Sequence, residues 1–151
     1  MWLLYREIMK SSRRRSREFA LQGLYQWQLA GTDPLIIAEQ LGDAEGFNKT
    51  DAEYFSVLLN GAVAGAVEME QLIAPLLDRA YKSLSPVERG ILLLAGFEFR
   101  QCPEVPYRVI INEAIELAKS FGGTDGHKYV NGVLDKMAAQ LRAPEVQAAR
   151  R

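Results

Sequence analysis

The sequence predicts an all-α protein. Apolar residues recur almost throughout at helical spacing, while sustained period-two alternation flanked by turn residues is hard to find. At 151 residues, 48% hydrophobic and 25% charged, the chain has the make-up of one domain large enough to bury a core. No internal repeat, low-complexity tract or interdomain linker interrupts it.

The first helix is expected from about Ser12 to Leu29, with Ala20, Leu21, Leu24, Trp27 and Tyr25 toward its buried side. Gly31 and Asp33-Pro34 end it and open a short second helix through Leu41, followed by a loop from Gly42 to Lys49. Thr50, with Glu53 three residues on, reads as a capping box. Phe55, Leu58, Leu59, Ala62 and Ala66 then mark an inner face that Met69, Leu72, Ile73, Leu76, Leu77 and Ala80 continue, and Pro75 is expected to split this stretch into two helices.

Ser85-Pro86-Val87-Glu88 is the cleanest start signal, a serine cap with proline at the first helical position and glutamate closing the box. The helix it opens is apolar nearly all round through Ile91, Leu92, Leu93, Leu94, Ala95, Phe97 and Phe99, so it is expected at the centre, ending near Cys102-Pro103. From Pro106, Ile111, Ala114, Ile115, Ala118 and Phe121 form a stripe that stops at Gly122-Gly123. A last helix starting near Thr124 or Asp125 carries Val130, Val133, Leu134, Met137 and Leu141, then fades into a polar tail.

Catalytic chemistry is poorly supplied. One histidine and one cysteine leave no ligand set for a metal and no positioned nucleophile and base, so no metal, cofactor or catalytic residue is expected. His127 sits between Gly126 and Lys128 with no nucleophile beside it. Glu113 and Glu116 resemble a solvated helix face, and Cys102 reads as a small apolar residue. Neither GxGxxG nor GxxxxGK[ST] occurs. The single cysteine suits a reducing compartment, and the apolar run Trp2-Leu3-Leu4-Tyr5 is far too short for a signal or a span, so a cytoplasmic location is expected. Met9-Lys10-Ser11-Ser12 also reads as a start, which makes the first eight residues an upstream extension.

Charge is distributed unevenly. The formal net charge is −1, yet residues 1–20 hold Arg6, Lys10, Arg13, Arg14, Arg15 and Arg17 against Glu7 and Glu18, leaving +4 there and −5 over the rest. On the expected boundaries the arginines lie at the start of the first helix, where the macrodipole makes each cost about 0.3–1 kcal/mol, a loss that a polyanionic partner would repay. The competing reading is a solvated arm. A second segment, Phe121 through Tyr129, sets two aromatic rings, Lys128 and a glycine-rich turn before the final helix, which are the components that hold single-stranded RNA. Phe121 and Tyr129 also read as core residues flanking a turn, and Asp125 as an N-cap or an acceptor from a base amino group.

Four blocks are more specific: Arg13-Arg14-Arg15 with Arg17-Glu18; Ala20 through Trp27; Val105-Pro106-Tyr107 leading into Ile111 through Gly122; and His127 through Asp135. On these blocks the chain resembles the NusB family from Arg13 to about Arg142. The resemblance implies about seven helices in two small helical bundles, with residues 1–12 a flexible extension, 13–142 the NusB-like domain and 143–151 a polar tail. It implies an RNA-binding transcription antitermination factor that pairs with NusE, a small-subunit ribosomal protein, on boxA-type single-stranded leader RNA of ribosomal RNA operons. That complex joins RNA polymerase, performs no catalysis and suppresses termination. By matching position, the RNA surface comprises Arg13, Arg14, Arg15, Arg17, Tyr25, Phe121, Asp125, Lys128 and Tyr129, and Glu88 falls where the family contacts NusE. In some members a homodimer hides the arginine-rich surface. NusB-like domains also precede the catalytic domain of RNA cytosine methyltransferases, but this chain carries neither their glycine-rich cofactor loop nor a downstream cysteine nucleophile. The remaining alternative is a protein-binding helical adaptor whose arginines are incidental.

Overall fold

A computed structural model describes residues 1–123 and 125–151. Its α-helices are α1 (Trp2–Ala30), α2 (Pro34–Gly42), α3 (Ala52–Ala64), α4 (Ala66–Ile73), α5 (Pro86–Gln101), α6 (Tyr107–Phe121), α7 (Gly126–Leu141) and α8 (Ala143–Arg150), and no strand occurs among the described residues. The all-α expectation holds, with eight α-helices among the described residues where about seven were expected. The additional one is α8, which occupies the stretch read as a polar tail, seats Pro144 in its first turn and buries Val146. Residues 1–63 and 64–151 form two compact units.

In the first unit, α1 starts ten residues before the expected Ser12. Ser12 does not cap a helix because its hydroxyl donates to the Met9 carbonyl at 3.0 Å, the back-bonding of a serine inside a helix. Nothing from Trp2 to Ser12 is proline or glycine, so no breaker stops the helix from extending backward. Gly31 ends α1 in the left-handed conformation (φ 66°), and Asp33 caps α2 by accepting from the Leu35 N–H at 2.8 Å. Leu24, Ile37, Leu58 and Leu59 are fully buried. Trp27, by contrast, is only half-buried and Tyr25 is exposed. The loop after α2 contains a short 3-10 turn at Phe47–Lys49, whose Phe47 ring meets Phe19 and Phe55 edge-on at 5.3 and 5.1 Å.

The Thr50 capping box does not form. The Thr50 hydroxyl donates to the Phe47 carbonyl at 2.7 Å, closing the 3-10 turn, and the Asp51 carboxylate instead accepts from the Tyr54 N–H at 3.0 Å. The cap is therefore one residue further on. The division expected at Pro75 falls at Gly65, between α3 and α4. Pro75 sits in a 3-10 turn (Ala74–Leu76) that closes α4, where its missing N–H is least costly.

In the second unit, the Ser85–Glu88 box is complete: Ser85 Oγ accepts from the Glu88 N–H, and Glu88 Oε1 accepts from the Ser85 N–H, each at 3.1 Å. The helix α5 buries Gly90 through Gly96 and then Phe99, as its all-round apolar sequence predicts. A Cβ on Gly96 would come within 2.5 Å of the Met69 sulfur, so α4 and α5 approach each other through that glycine. Arg142, between α7 and α8, is buried and was not singled out in the sequence. Its Nε donates to the Phe99 carbonyl at 2.6 Å and its Nη2 to the Glu98 and Cys102 carbonyls at 3.3 and 2.9 Å, which satisfies the C-terminal end of α5. Glu113 is buried on α6, against the solvated face expected for it, whereas Glu116 is exposed and faces Lys119 at 3.9 Å. Cys102 is buried, as a small apolar residue would be.

Candidate nucleic-acid interface

The arginine-rich stretch lies inside α1, more than two turns from its N-terminus. This overturns the dipole argument, since the macrodipole acts within the first and last turns. What the middle of a helix does instead is distribute consecutive side chains around its circumference. Arg13 and Arg17, four residues apart, turn toward Tyr54 of α3, with guanidinium carbons 4.3 and 5.5 Å from its ring centroid. Arg17 is only 4% exposed. Arg13 Nε also lies 3.9 Å from the Asp51 carboxylate.

Arg14 and Arg15 are exposed. Arg15 faces Glu18 one turn on at 3.9 Å, longer than the 2.7–2.9 Å of a charge-assisted hydrogen bond, so this pair is loose. Tyr25, further along the same helix, is 44% exposed. The four arginines singled out together therefore divide into two packed against their own unit and two open to solvent.

In the second unit, Thr124, one expected start of the last helix, lies outside the described residues. Asp125 takes the left-handed conformation (φ 65°) and precedes α7, whose first turn carries His127, Lys128 and Tyr129. Asp125 makes no side-chain cap; its carboxylate lies 3.5 Å from Lys128 Nζ, and both groups are largely exposed. Phe121, at the end of α6, is 41% exposed, so its ring is not a core residue.

Tyr129 is half-buried and covered by a residue the sequence did not single out: the Arg79 guanidinium carbon lies 3.9 Å from its ring centroid. Asp78 accepts from Arg79 Nε at 2.8 Å. Arg79 first, and the Tyr129 hydroxyl second, hold the Asp78 carboxyl below its ordinary range, while burial and the neighbouring Asp78 raise the Tyr129 phenol. With the helical stripe expected to run through Ala80, Asp78 and Arg79 read in the sequence only as polar positions within it. Glu88 sits in the first turn of α5, engaged in its cap. Among the described residues no group of three or more His, Cys, Asp or Glu is gathered to hold a metal ion, and no single helix is long and apolar enough to cross a membrane.

What these surfaces offer is charge and flat rings on a helical scaffold. The NusB family model matches residues 14–139, and the chain belongs to that family. The transcription antitermination protein NusB of Paraburkholderia phytofirmans is 57% identical over 143 residues, 95% of this chain and 99% of that protein. Among solved structures, T. maritima NusB superposes with a TM-score of 0.77 at 31% identity, covering 85% of this chain and 91% of its own. A crystal structure of the antitermination factors NusB and NusE in complex with dsRNA matches with a TM-score of 0.73 at 26% identity, covering 85% of this chain and 97% of the matched one.

Proposed function

We propose that this chain is a cytoplasmic, non-catalytic transcription antitermination factor that binds boxA-type leader RNA of ribosomal RNA operons together with NusE. The two compact units are read as the two small bundles of the family. Arg14, Arg15 and Tyr25 present the RNA surface of the first unit, with Arg13 and Arg17 behind them as packing residues. Phe121, Asp125, Lys128 and Tyr129 present that of the second, and Glu88 meets NusE.

The observation that carries this reading is the pair of exposed arginines, Arg14 and Arg15, set within a run whose flanking arginines, Arg13 and Arg17, pack against Tyr54. Two adjacent cations held out from a rigid helix suit successive phosphates of one strand. An incidental set of solvated arginines would have no reason to divide so. The test is a titration of boxA RNA and a scrambled RNA of equal length, each with and without NusE. The expected result is tighter binding of boxA, tightened further by NusE. Equal affinity for both RNAs with no effect of NusE would overturn the reading and leave a helical adaptor.

A further inference from the structure

We infer that Arg79 is an RNA-stacking residue, the outer layer of a two-layer platform whose inner layer is the Tyr129 ring. This rests on the RNA-binding reading above and assigns a part of it to a residue outside the matched motifs.

Tyr129 does not offer both faces to a base, because the Arg79 guanidinium lies 3.9 Å from the centroid of one of them. Arg79 is itself half-exposed, so the guanidinium over the ring remains accessible to solvent. Asp78, accepting from Nε at 2.8 Å, fixes the guanidinium in its own plane and leaves the π-face uncovered. The ring of Tyr129 beneath it is half-buried, with its hydroxyl turned away from solvent. A flat group held at both edge and underside is pre-organised for stacking, and little side-chain entropy is left to lose on binding.

The charge around it argues for a base in preference to a phosphate. Arg79 and Lys128 each have a carboxylate beside them, Asp78 at 2.8 Å and Asp125 at 3.5 Å. Their attraction for an anion is largely cancelled, whereas stacking of an unpaired base on a guanidinium needs no net charge. The second unit therefore supplies base contact, and the counterion-releasing phosphate contacts belong to Arg14 and Arg15 in the first.

The experiment measures affinity of the full chain for a short fluorescein-labelled single-stranded boxA RNA, with NusE present, across a salt series. The variants are Arg79→Ala and Arg79→Lys, each checked for an unchanged melting temperature. Arg79→Ala is expected to weaken binding about tenfold, the scale of one lost base stack, with the slope of log affinity against log salt unchanged. Arg79→Lys, which keeps the charge but not the plane, is expected to rescue little. Wild-type affinity in Arg79→Ala would overturn the inference, as would full rescue by lysine with a slope that falls in the alanine variant, the signature of a phosphate contact. Failure of the wild-type chain to bind RNA at all would instead overturn the RNA-binding reading beneath it.

Discussion

The Arg13 guanidinium carbon lies 4.3 Å from the centroid of the Tyr54 ring, joining α1 to α3 within the first unit. A cation over a mostly buried aromatic face is worth about 0.5–2 kcal/mol, and at Arg13 the aliphatic stem adds packing of its own. Arg13→Ala is therefore expected to cost about 1 kcal/mol and to lower the melting temperature by about 3 °C. Its effect on RNA affinity should be smaller than that of Arg14→Ala, which should leave the melting temperature unchanged. Thermal unfolding and RNA titration of the two variants side by side check both.

Glu88 holds two roles that one substitution separates. Its Oε1 accepts from the Ser85 N–H, and the amide oxygen of glutamine serves that purpose equally well. Glu88→Gln is expected to keep stability within about 0.5 kcal/mol while weakening NusE binding by about 1 kcal/mol, or fivefold. Calorimetric titration with NusE and a melting curve measure the two quantities independently.

Glu145 gives the fold a pH dependence. The Tyr107 N–H donates to its Oε2 at 2.9 Å and Arg142 Nη1 to its Oε1 at 2.7 Å, and together they hold its carboxyl below the usual 4.5 against the opposing effect of burial. A depressed carboxyl contributes stability that is present above pH 4.5 and lost as the pH falls through its lower folded value. The wild type is expected to exceed Glu145→Gln by about 1 kcal/mol near neutrality, a figure discounted for partial solvent exposure. That gap should close in acid, as melting temperatures of both proteins across the acidic range will show.

Much of this fold is legible in the sequence because it is written in local signals. The Ser85–Glu88 box, Gly31 and Asp33-Pro34 each act within one turn, and each stands where the residues predict. Misplaced boundaries have a common cause: a hydroxyl has more than one partner to choose from. Ser12 bonds backward within a helix and Thr50 bonds backward into a 3-10 turn, and neither choice is visible in residue identity. The site was legible as a set of residues and not as an arrangement. Four nearby arginines look equivalent in sequence, and only the position of Tyr54, some forty residues away, divides them. Arg79 and Arg142 escape notice for the same reason, since each acquires its partners through long-range packing.

The central claim is that Arg14 and Arg15 neutralise phosphates of an RNA strand. It is tested most directly by the salt dependence of boxA affinity for the wild type and the Arg14→Ala/Arg15→Ala double variant. For single strands each neutralised phosphate contributes about 0.7 to the slope of log affinity against log salt, so the double variant should be shallower by about 1.4. A double variant with the wild-type slope would contradict the account.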